Sequence, residues 1–116
     1  MHELGLAQNT LDLALQTASR EGAERITVLR LQVGDLSGVV PEALQFALET
    51  IVTDTPAHDA RIEIERIPAV CFCADCEAEF PADGYVYHCP RCAAQGCELL
   101  RGTEMTLISM EVDGNV

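Results

Sequence analysis

The chain has 116 residues and a formal net charge of -12, from 19 acidic and 7 basic residues. A chain of this length forms one compact domain, or a small core that carries a mini-domain, and does not house a large enzyme site. The excess of carboxylates repels a phosphate backbone, which disfavours nucleic-acid binding. Trp is absent and aromatic residues make up 4% of the chain, so the core must consist of aliphatic side chains.

The first predicted element is a helix from Leu4 to about Ser19. Apolar residues recur there at spacings of three and four, which predicts one buried face. This face consists of Leu4, Ala7, Leu11, Ala14, Leu15 and Ala18. Gly22 follows and is predicted to end the helix. The segment from Arg25 to Val33 alternates apolar and polar residues and predicts a strand.

A second helix is predicted from Pro41 to Ile51, after a loop rich in turn residues at 34–38. Alternating Ile and Glu residues predict a second strand from Ala60 to Ile67. A third strand is predicted from Met105 to Val112. One face of this strand is predicted to carry Thr106, Ile108, Met110 and Val112.

Two Cys-x-x-Cys motifs, separated by twelve residues, dominate the second half of the chain. In each motif, the two intervening residues let the backbone form a knuckle whose N–H groups face the thiolates. Four thiolates arranged as a tetrahedron are the usual ligands of a closed, structural Zn2+ site. The spacing therefore predicts a zinc ribbon at 69–100 with the ligands Cys73, Cys76, Cys89 and Cys92.

Together these elements predict an α+β fold in which two helices pack on a three-stranded sheet. A small zinc-ribbon domain, residues 69–100, is inserted before the last strand. Residues 1–68 and 101–116 form the α+β domain in this prediction. No pair of a nucleophile and a base is discernible in the sequence, so we expect a protein that is not an enzyme.

Three other residues near the motifs are predicted not to bind the metal. Cys71 and Cys97 do not fit the paired spacing; we expect Cys71 to be a small packed side chain and Cys97 to lie in a loop after Gly96. His88 could be the fourth ligand of a Cys3His site, but the four cysteines already complete a tetrahedron. The same four sulfurs could also hold iron, as in a rubredoxin-like electron carrier. The colour of the purified protein distinguishes the two metals, since the iron form is red-brown.

The N-terminus lacks the basic and apolar regions of a signal peptide, and no stretch is long and apolar enough for a membrane span. We therefore expect a cytoplasmic protein without membrane insertion. In the cytosol, cysteines are more often metal ligands than disulfide partners.

The first residues, Met1-His2-Glu3, could form a second metal site. The Met1 amine, the His2 amide nitrogen and the His2 Nδ1 atom can lie in one plane around a metal, with the Glu3 amide as a possible fourth ligand. Square-planar nitrogen ligands favour Ni(II) or Cu(II) over Zn(II). The competing interpretation is an exposed, frayed chain end.

The chain resembles the HypA/HybF family over essentially its whole length. Five segments carry the resemblance. The first is Met1-His2-Glu3-Leu4, which leads directly into an amphipathic helix. The others are Gly34-Asp-Leu-Ser37, the helix from Pro41 to Ile51, the run Ala69-Val-Cys-Phe-Cys73 into the two Cys-x-x-Cys motifs, and Ile108-Ser-Met-Glu-Val112.

The resemblance implies a nickel metallochaperone for the maturation of [NiFe]-hydrogenase. It implies that Met1, His2 and Glu3 bind Ni2+ as transferred cargo, and that the four cysteines bind structural Zn2+. It also implies two partners, a HypB-type GTPase and the precursor of the hydrogenase large subunit. The alternatives are a zinc-ribbon module that binds proteins and a rubredoxin-like iron carrier.

Overall fold

The computed structural model describes residues 2–114, which form two helices and six strands in two sheets. In chain order the elements are α1 (His2–Arg20), β1 (Arg25–Gly34), α2 (Pro41–Ile51), β2 (Arg61–Ile67), β3 (Val70–Cys73), β4 (Ala78–Pro81), β5 (Glu98–Arg101) and β6 (Met105–Asp113). The predicted α+β class is confirmed, and the cysteine motifs lie in the segment inserted between β2 and β6. Neither helix in the described part of the chain is long and apolar enough to cross a membrane.

Strand β1 is the centre of the larger sheet, whose order is β2-β1-β6. It pairs in parallel with β2 and antiparallel with β6. Parallel neighbours require a crossover connection, and α2 provides it. Leu29 and Leu31 of β1 are fully buried in the main core. This central position explains why β1 is the most buried strand of the sheet.

The predicted apolar face of α1 is buried from Ala7 to Ala18. Its alanines let the helix backbone approach the rest of the core closely, where Leu44 and Leu48 of α2 are also buried. The prediction was wrong for Leu4, which is 43% exposed, because Leu6 packs against the core at this end of the helix.

Gly22 ends α1 as predicted. Its φ of 71° lies in the left-handed region, where glycine has no steric penalty. The Gly22 N–H donates to the carbonyl of Ser19, and the Ala23 N–H donates to the carbonyl of Ala18. These two bonds form a Schellman motif, which satisfies carbonyl groups at the helix end.

The predicted face of β6 is wrong because the strand contains a bulge. Arg30 of β1 pairs with Ser109 and Leu31 pairs with Leu107, so Ile108 is an extra residue between two pairs. A one-residue shift reverses the side-chain alternation from that point. As a result, Leu107 and Met110 both pack against the core, while Ile108 is 46% exposed.

The connection between the two sheets depends on a close backbone contact between two glycines. A Cβ atom added to Gly34 would lie 2.1 Å from the carbonyl oxygen of Gly102, which joins β5 to β6. The Gly34 N–H donates to the Glu104 carbonyl at 2.7 Å, and the Leu36 N–H donates to the Gly102 carbonyl at 2.7 Å. Only glycine fits at position 34 without displacing this connection.

We therefore expect the Gly34→Ala variant to lose roughly 1–3 kcal/mol of unfolding free energy, since the added methyl group overlaps backbone atoms. Gly5→Ala is the matched control, because nothing lies within 4 Å of the added carbon in that exposed part of α1. Alanine in a helix should stabilise this variant by about 0.5–1 kcal/mol. Urea unfolding measures both, and equal midpoints for Gly34→Ala and the wild type would contradict the packing described.

The solvent face of the larger sheet carries a charge ladder. Arg30 donates to Glu63 at 2.9 Å and also pairs with Glu111, while Arg61 donates to Glu63 at 2.7 Å. The hydrogen bond from Arg61, followed by that from Arg30, lowers the pKa of Glu63. A lowered carboxyl pKa contributes stability above the unfolded value, about 4.3, and this contribution is lost as pH falls through the folded value.

Glu63→Gln should therefore be less stable than the wild type at pH 7, by a small amount because the pair is exposed to solvent. The difference should shrink below the ordinary pKa of a glutamate and vanish when Glu63 is protonated in both states. Urea unfolding from pH 7 to pH 3 tests this. A difference that is constant over this range would show that the ion pairs do not contribute.

Candidate metal centre

The smaller sheet presents the two Cys-x-x-Cys motifs at one end. Its order is β4-β3-β5, and the first motif begins at the last residue of β3. In both motifs, the residue after the second cysteine has a positive φ: Glu77 at 51° and Ala93 at 60°. This conformation costs a non-glycine residue on the order of 1 kcal/mol. The two motifs thus share one backbone turn, which aims their sulfur atoms at a common point.

The structure brings together the four cysteines that the spacing selects. The Sγ atoms of Cys73, Cys76, Cys89 and Cys92 all lie within 4.8 Å of one another. Two of the sulfur pairs are 3.6 Å and 3.8 Å apart. Four sulfurs at the usual Zn–S distance of about 2.3 Å form a tetrahedron with edges of roughly 3.8 Å. The spacing of the sulfurs and their chemistry therefore fit Zn2+.

The protein environment prepares one of these thiols for metal binding. The backbone N–H groups of Cys92 and Arg91 face the Cys89 sulfur and lower the pKa of Cys89 to about 6. In contrast, hydrogen bonds with the Cys92 and Cys89 sulfurs raise the pKa of Cys76 to about 12. One thiolate forms easily, and further negative charge beside it is unfavourable. A divalent cation removes this repulsion, which is why metal binding would release protons.

Cys71 and Cys97 lie outside the four-sulfur cluster. Cys71 is fully buried on β3, where it pairs with Phe80 on one side and Leu99 on the other. Burial raises its pKa, as it does for Cys97, which donates to the Ala94 carbonyl at 3.6 Å. Both therefore remain protonated and are small packed groups of the core of the smaller sheet, which also contains Phe80.

The N-terminal residues lie next to the start of α2. Met1 lies outside the described residues, so the predicted chelate with the Met1 amine is not described by the structure. His2 is the first residue of α1 and is exposed. The Glu3 carboxylate accepts a hydrogen bond from the Val40 N–H at 3.3 Å, and this bond lowers its pKa.

One loop contacts both the connection between β5 and β6 and the N-terminus. This linking loop, residues 34–40, bonds to Gly102 through the Leu36 N–H. Within the loop, the Val39 N–H donates to the Ser37 hydroxyl at 3.1 Å, and the Val40 N–H donates to the Glu3 carboxylate. The sequence analysis missed these contacts, because they are made mostly by backbone atoms that leave no composition signal.

Comparison with known proteins decides the family. The family model described as "Hydrogenase/urease nickel incorporation, metallochaperone, hypA" matches residues 1–112. The chain belongs to the HypA family. This confirms the resemblance seen in the sequence, and it confirms the prediction of a maturation factor instead of an enzyme.

Relatives in this family match over nearly their full length. The hydrogenase maturation factor HypA of Geotalea uraniireducens (strain Rf4) is 40% identical over 113 residues, which cover 97% of this chain and 100% of that protein. That of Picosynechococcus sp. (strain ATCC 27264 / PCC 7002 / PR-6) is 39% identical over 112 residues, 97% of this chain and 99% of that protein.

Solved HypA structures share the fold. The solution structure of the Ni metallochaperone HypA from Helicobacter pylori aligns with a TM-score of 0.68 at 23% identity, covering 97% of this chain and 98% of that one. A second HypA solution structure gives a TM-score of 0.71 at 24% identity, covering 97% and 96%. At this level of identity, the two alignments support the architecture alone.

Proposed function

We propose that this HypA-family chain binds Ni2+ at its N-terminus through Met1, His2 and Glu3 and helps insert it into the hydrogenase large-subunit precursor. The observation that carries the proposal is the family match, which begins at residue 1 and so includes the three residues. The exposure of His2 is consistent with it, since the imidazole is open to solvent.

The position of these residues at a helix start suits a site that must bind and release. The first four N–H groups of a helix have no intrahelical acceptor, so the His2 and Glu3 amides can lose their protons without breaking the helix. A planar site at a chain end leaves both faces of the metal open to a new ligand. Because the amides bind only when deprotonated, nickel affinity should fall as pH decreases.

We further propose that Cys73, Cys76, Cys89 and Cys92 hold structural zinc, and that residues 69–100 fold as a zinc-binding domain. Residues 1–68 and 101–116 then form the nickel-binding domain. Zinc at this site would neutralise the thiolates and hold the two knuckles together. Iron bound by the same four sulfurs would make the protein red-brown, so a colourless protein with one zinc per chain would support the assignment of zinc.

The remaining expectations concern partners and location. We propose a HypB-type GTPase as the partner that drives transfer, and the large-subunit precursor as the recipient. Cytoplasmic location agrees with the six reduced cysteines and with a metal site built from thiolates. The charge of -12 favours partners with basic surfaces and opposes nucleic acid.

The transfer of nickel tests this function. The zinc-loaded protein is charged with one equivalent of Ni2+ and mixed with nickel-free large-subunit precursor and a GTPase of the HypB type, in the presence of a chelator that traps free nickel. We expect nickel to reach the precursor despite the chelator, and His2→Ala to deliver none. If the chelator intercepts all the nickel from the wild type, the carrier function is refuted.

A further inference from the structure

The free edge of the larger sheet, together with the adjacent surface of α1, forms a groove that the nickel and zinc sites do not use. Within residues 2–114, β6 pairs only with β1, so its other edge is open. The groove has a volume of about 360 Å³. It is lined by Leu13, Thr17, Leu107, Ile108, Ser109 and Met110.

Backbone groups on this edge are available for pairing. The Glu111 carbonyl accepts a hydrogen bond from the Thr27 hydroxyl at 3.2 Å, and the Asp113 carbonyl accepts one from the Glu24 N–H at 3.1 Å, so both carbonyls point towards β1. Backbone direction alternates along a strand. The N–H and carbonyl of Val112, between them, therefore point away from β1 to the open edge.

The side chains around this edge are apolar and partly exposed. Leu13 is 52% exposed, Ile108 46% and Val112 42%. The two carboxylates of β6 do not guard the edge, because Arg25 pairs with Asp113 and Arg30 pairs with Glu111. Natural edge strands are normally protected by unpaired charge or proline, and β6 contains no proline. Its bulge at Ile108 is the one such device present in the strand.

We propose that this groove, named here the α1–β6 groove, binds an extended peptide segment of a partner protein by adding it as a strand beside β6. The segment has apolar side chains at alternate positions, one of which enters the groove, and lysine or arginine at its flanks. Strand addition beside a helix combines backbone hydrogen bonds, which give affinity, with a side-chain pocket, which gives specificity.

Charge selects this occupant over a second copy of the chain. Locally the groove is apolar, because the β6 carboxylates are neutralised by arginines. At longer range, the protein carries a charge of -12, which attracts a basic segment and repels another copy. Attraction of this kind mainly speeds association and weakens with added salt.

The probe is a set of synthetic peptides of about ten residues, long enough to span β6. All carry alternating threonine with valine or isoleucine, and the flanks carry lysine, glutamine or glutamate. Fluorescence anisotropy at low and high salt measures affinity, and amide shifts in the assigned zinc-loaded protein locate binding. We expect the lysine-flanked peptides to bind most tightly, with amide shifts confined to α1 and β6. Added salt should weaken the binding of these peptides.

Two substitutions test the mode of binding. Val112→Pro removes the outward N–H without removing a bond to β1, and proline is tolerated on edge strands. Leu13→Lys removes an apolar wall and adds a repelling charge on the helix surface. Each should weaken binding of the lysine-flanked peptides about tenfold or more. The control Phe46→Lys adds the same charge on α2, outside the groove, and should change affinity little.

Three outcomes would overturn the proposal. The first is that none of the peptides binds. The second is binding that both Val112→Pro and Leu13→Lys leave unchanged, or shifts outside α1 and β6. The third is that sedimentation shows a dimer of the wild type that Val112→Pro dissociates, which would make a second copy the occupant. The fold of each variant is checked by its zinc content and its amide spectrum.

Discussion

Substitution of Cys89 by serine is expected to abolish stoichiometric zinc binding and to unfold the ribbon. Cys89 is buried, and its sulfur is the one that the knuckle amides of Cys92 and Arg91 stabilise as a thiolate. The three short strands of the ribbon enclose a small core, so zinc bound as proposed should supply most of its stability. Binding of structural zinc to small domains contributes about 10–16 kcal/mol at neutral pH.

Metal analysis and hydrogen exchange of residues 70–101 measure this effect. Cys97→Ser is the matched control, because Cys97 is a half-buried thiol beside the cluster but outside it. This variant should keep one zinc per chain and native exchange protection. A Cys89→Ser protein that still holds one tightly bound zinc and a protected ribbon would show that another residue completes the site.

Loss of zinc should also disturb the N-terminus and change its nickel affinity. The linking loop contacts the ribbon connection at Gly102 and contacts Glu3 through Val40. Disorder in the ribbon therefore loosens the loop that holds the first turn of α1. If Cys89→Ser, with a folded α+β domain, binds nickel with unchanged affinity, the two metal sites are independent.

Replacement of His2 by alanine should weaken nickel binding more than replacement of either of the other two histidines. In the proposed site His2 supplies both an imidazole and an amide nitrogen, and the substitution removes the imidazole ligand. Loss of a direct ligand should weaken nickel binding by more than the roughly 10–100-fold typical of a lost outer-shell contact. Calorimetric titration of the zinc-loaded protein measures the change, and zinc content should stay the same.

The other two histidines provide the controls. His58 is exposed in the loop before β2, where its Nδ1 lies 2.9 Å from the Thr55 carbonyl, and His88 is exposed beside Cys89. Nickel affinity should be unchanged in His58→Ala and in His88→Ala. Equal losses in all three variants would indicate adventitious binding to surface imidazoles.

Local patterns in the sequence were sufficient for most of the fold. Helical spacing predicted the buried face of α1, and Gly22 predicted its end, because both signals depend on neighbouring residues. The cysteine spacing predicted the cluster for the same reason, since a two-residue knuckle is a local structure. The prediction of a nickel site came from the family resemblance. The first three residues alone were equally compatible with an exposed, frayed chain end.

Long-range pairing could not be predicted in the same way. The bulge at Ile108 depends on how β6 pairs with β1, which lies about 80 residues earlier in the chain. The role of Gly34 became visible only when Gly102 was found against it. Glu3 was predicted as a nickel ligand. Its hydrogen bond with the Val40 N–H could not be predicted, because a backbone amide leaves no signal in the sequence.

The most direct test of the account is the absorption spectrum of Ni(II) titrated into the zinc-loaded protein, with and without residues added before Met1. The added residues remove the free Met1 amine and leave the imidazole of His2 and the carboxylate of Glu3 intact. We predict the bands of planar nickel at one equivalent for the unmodified chain and their loss in the extended one. Identical bands in both proteins would place nickel elsewhere and contradict the N-terminal site.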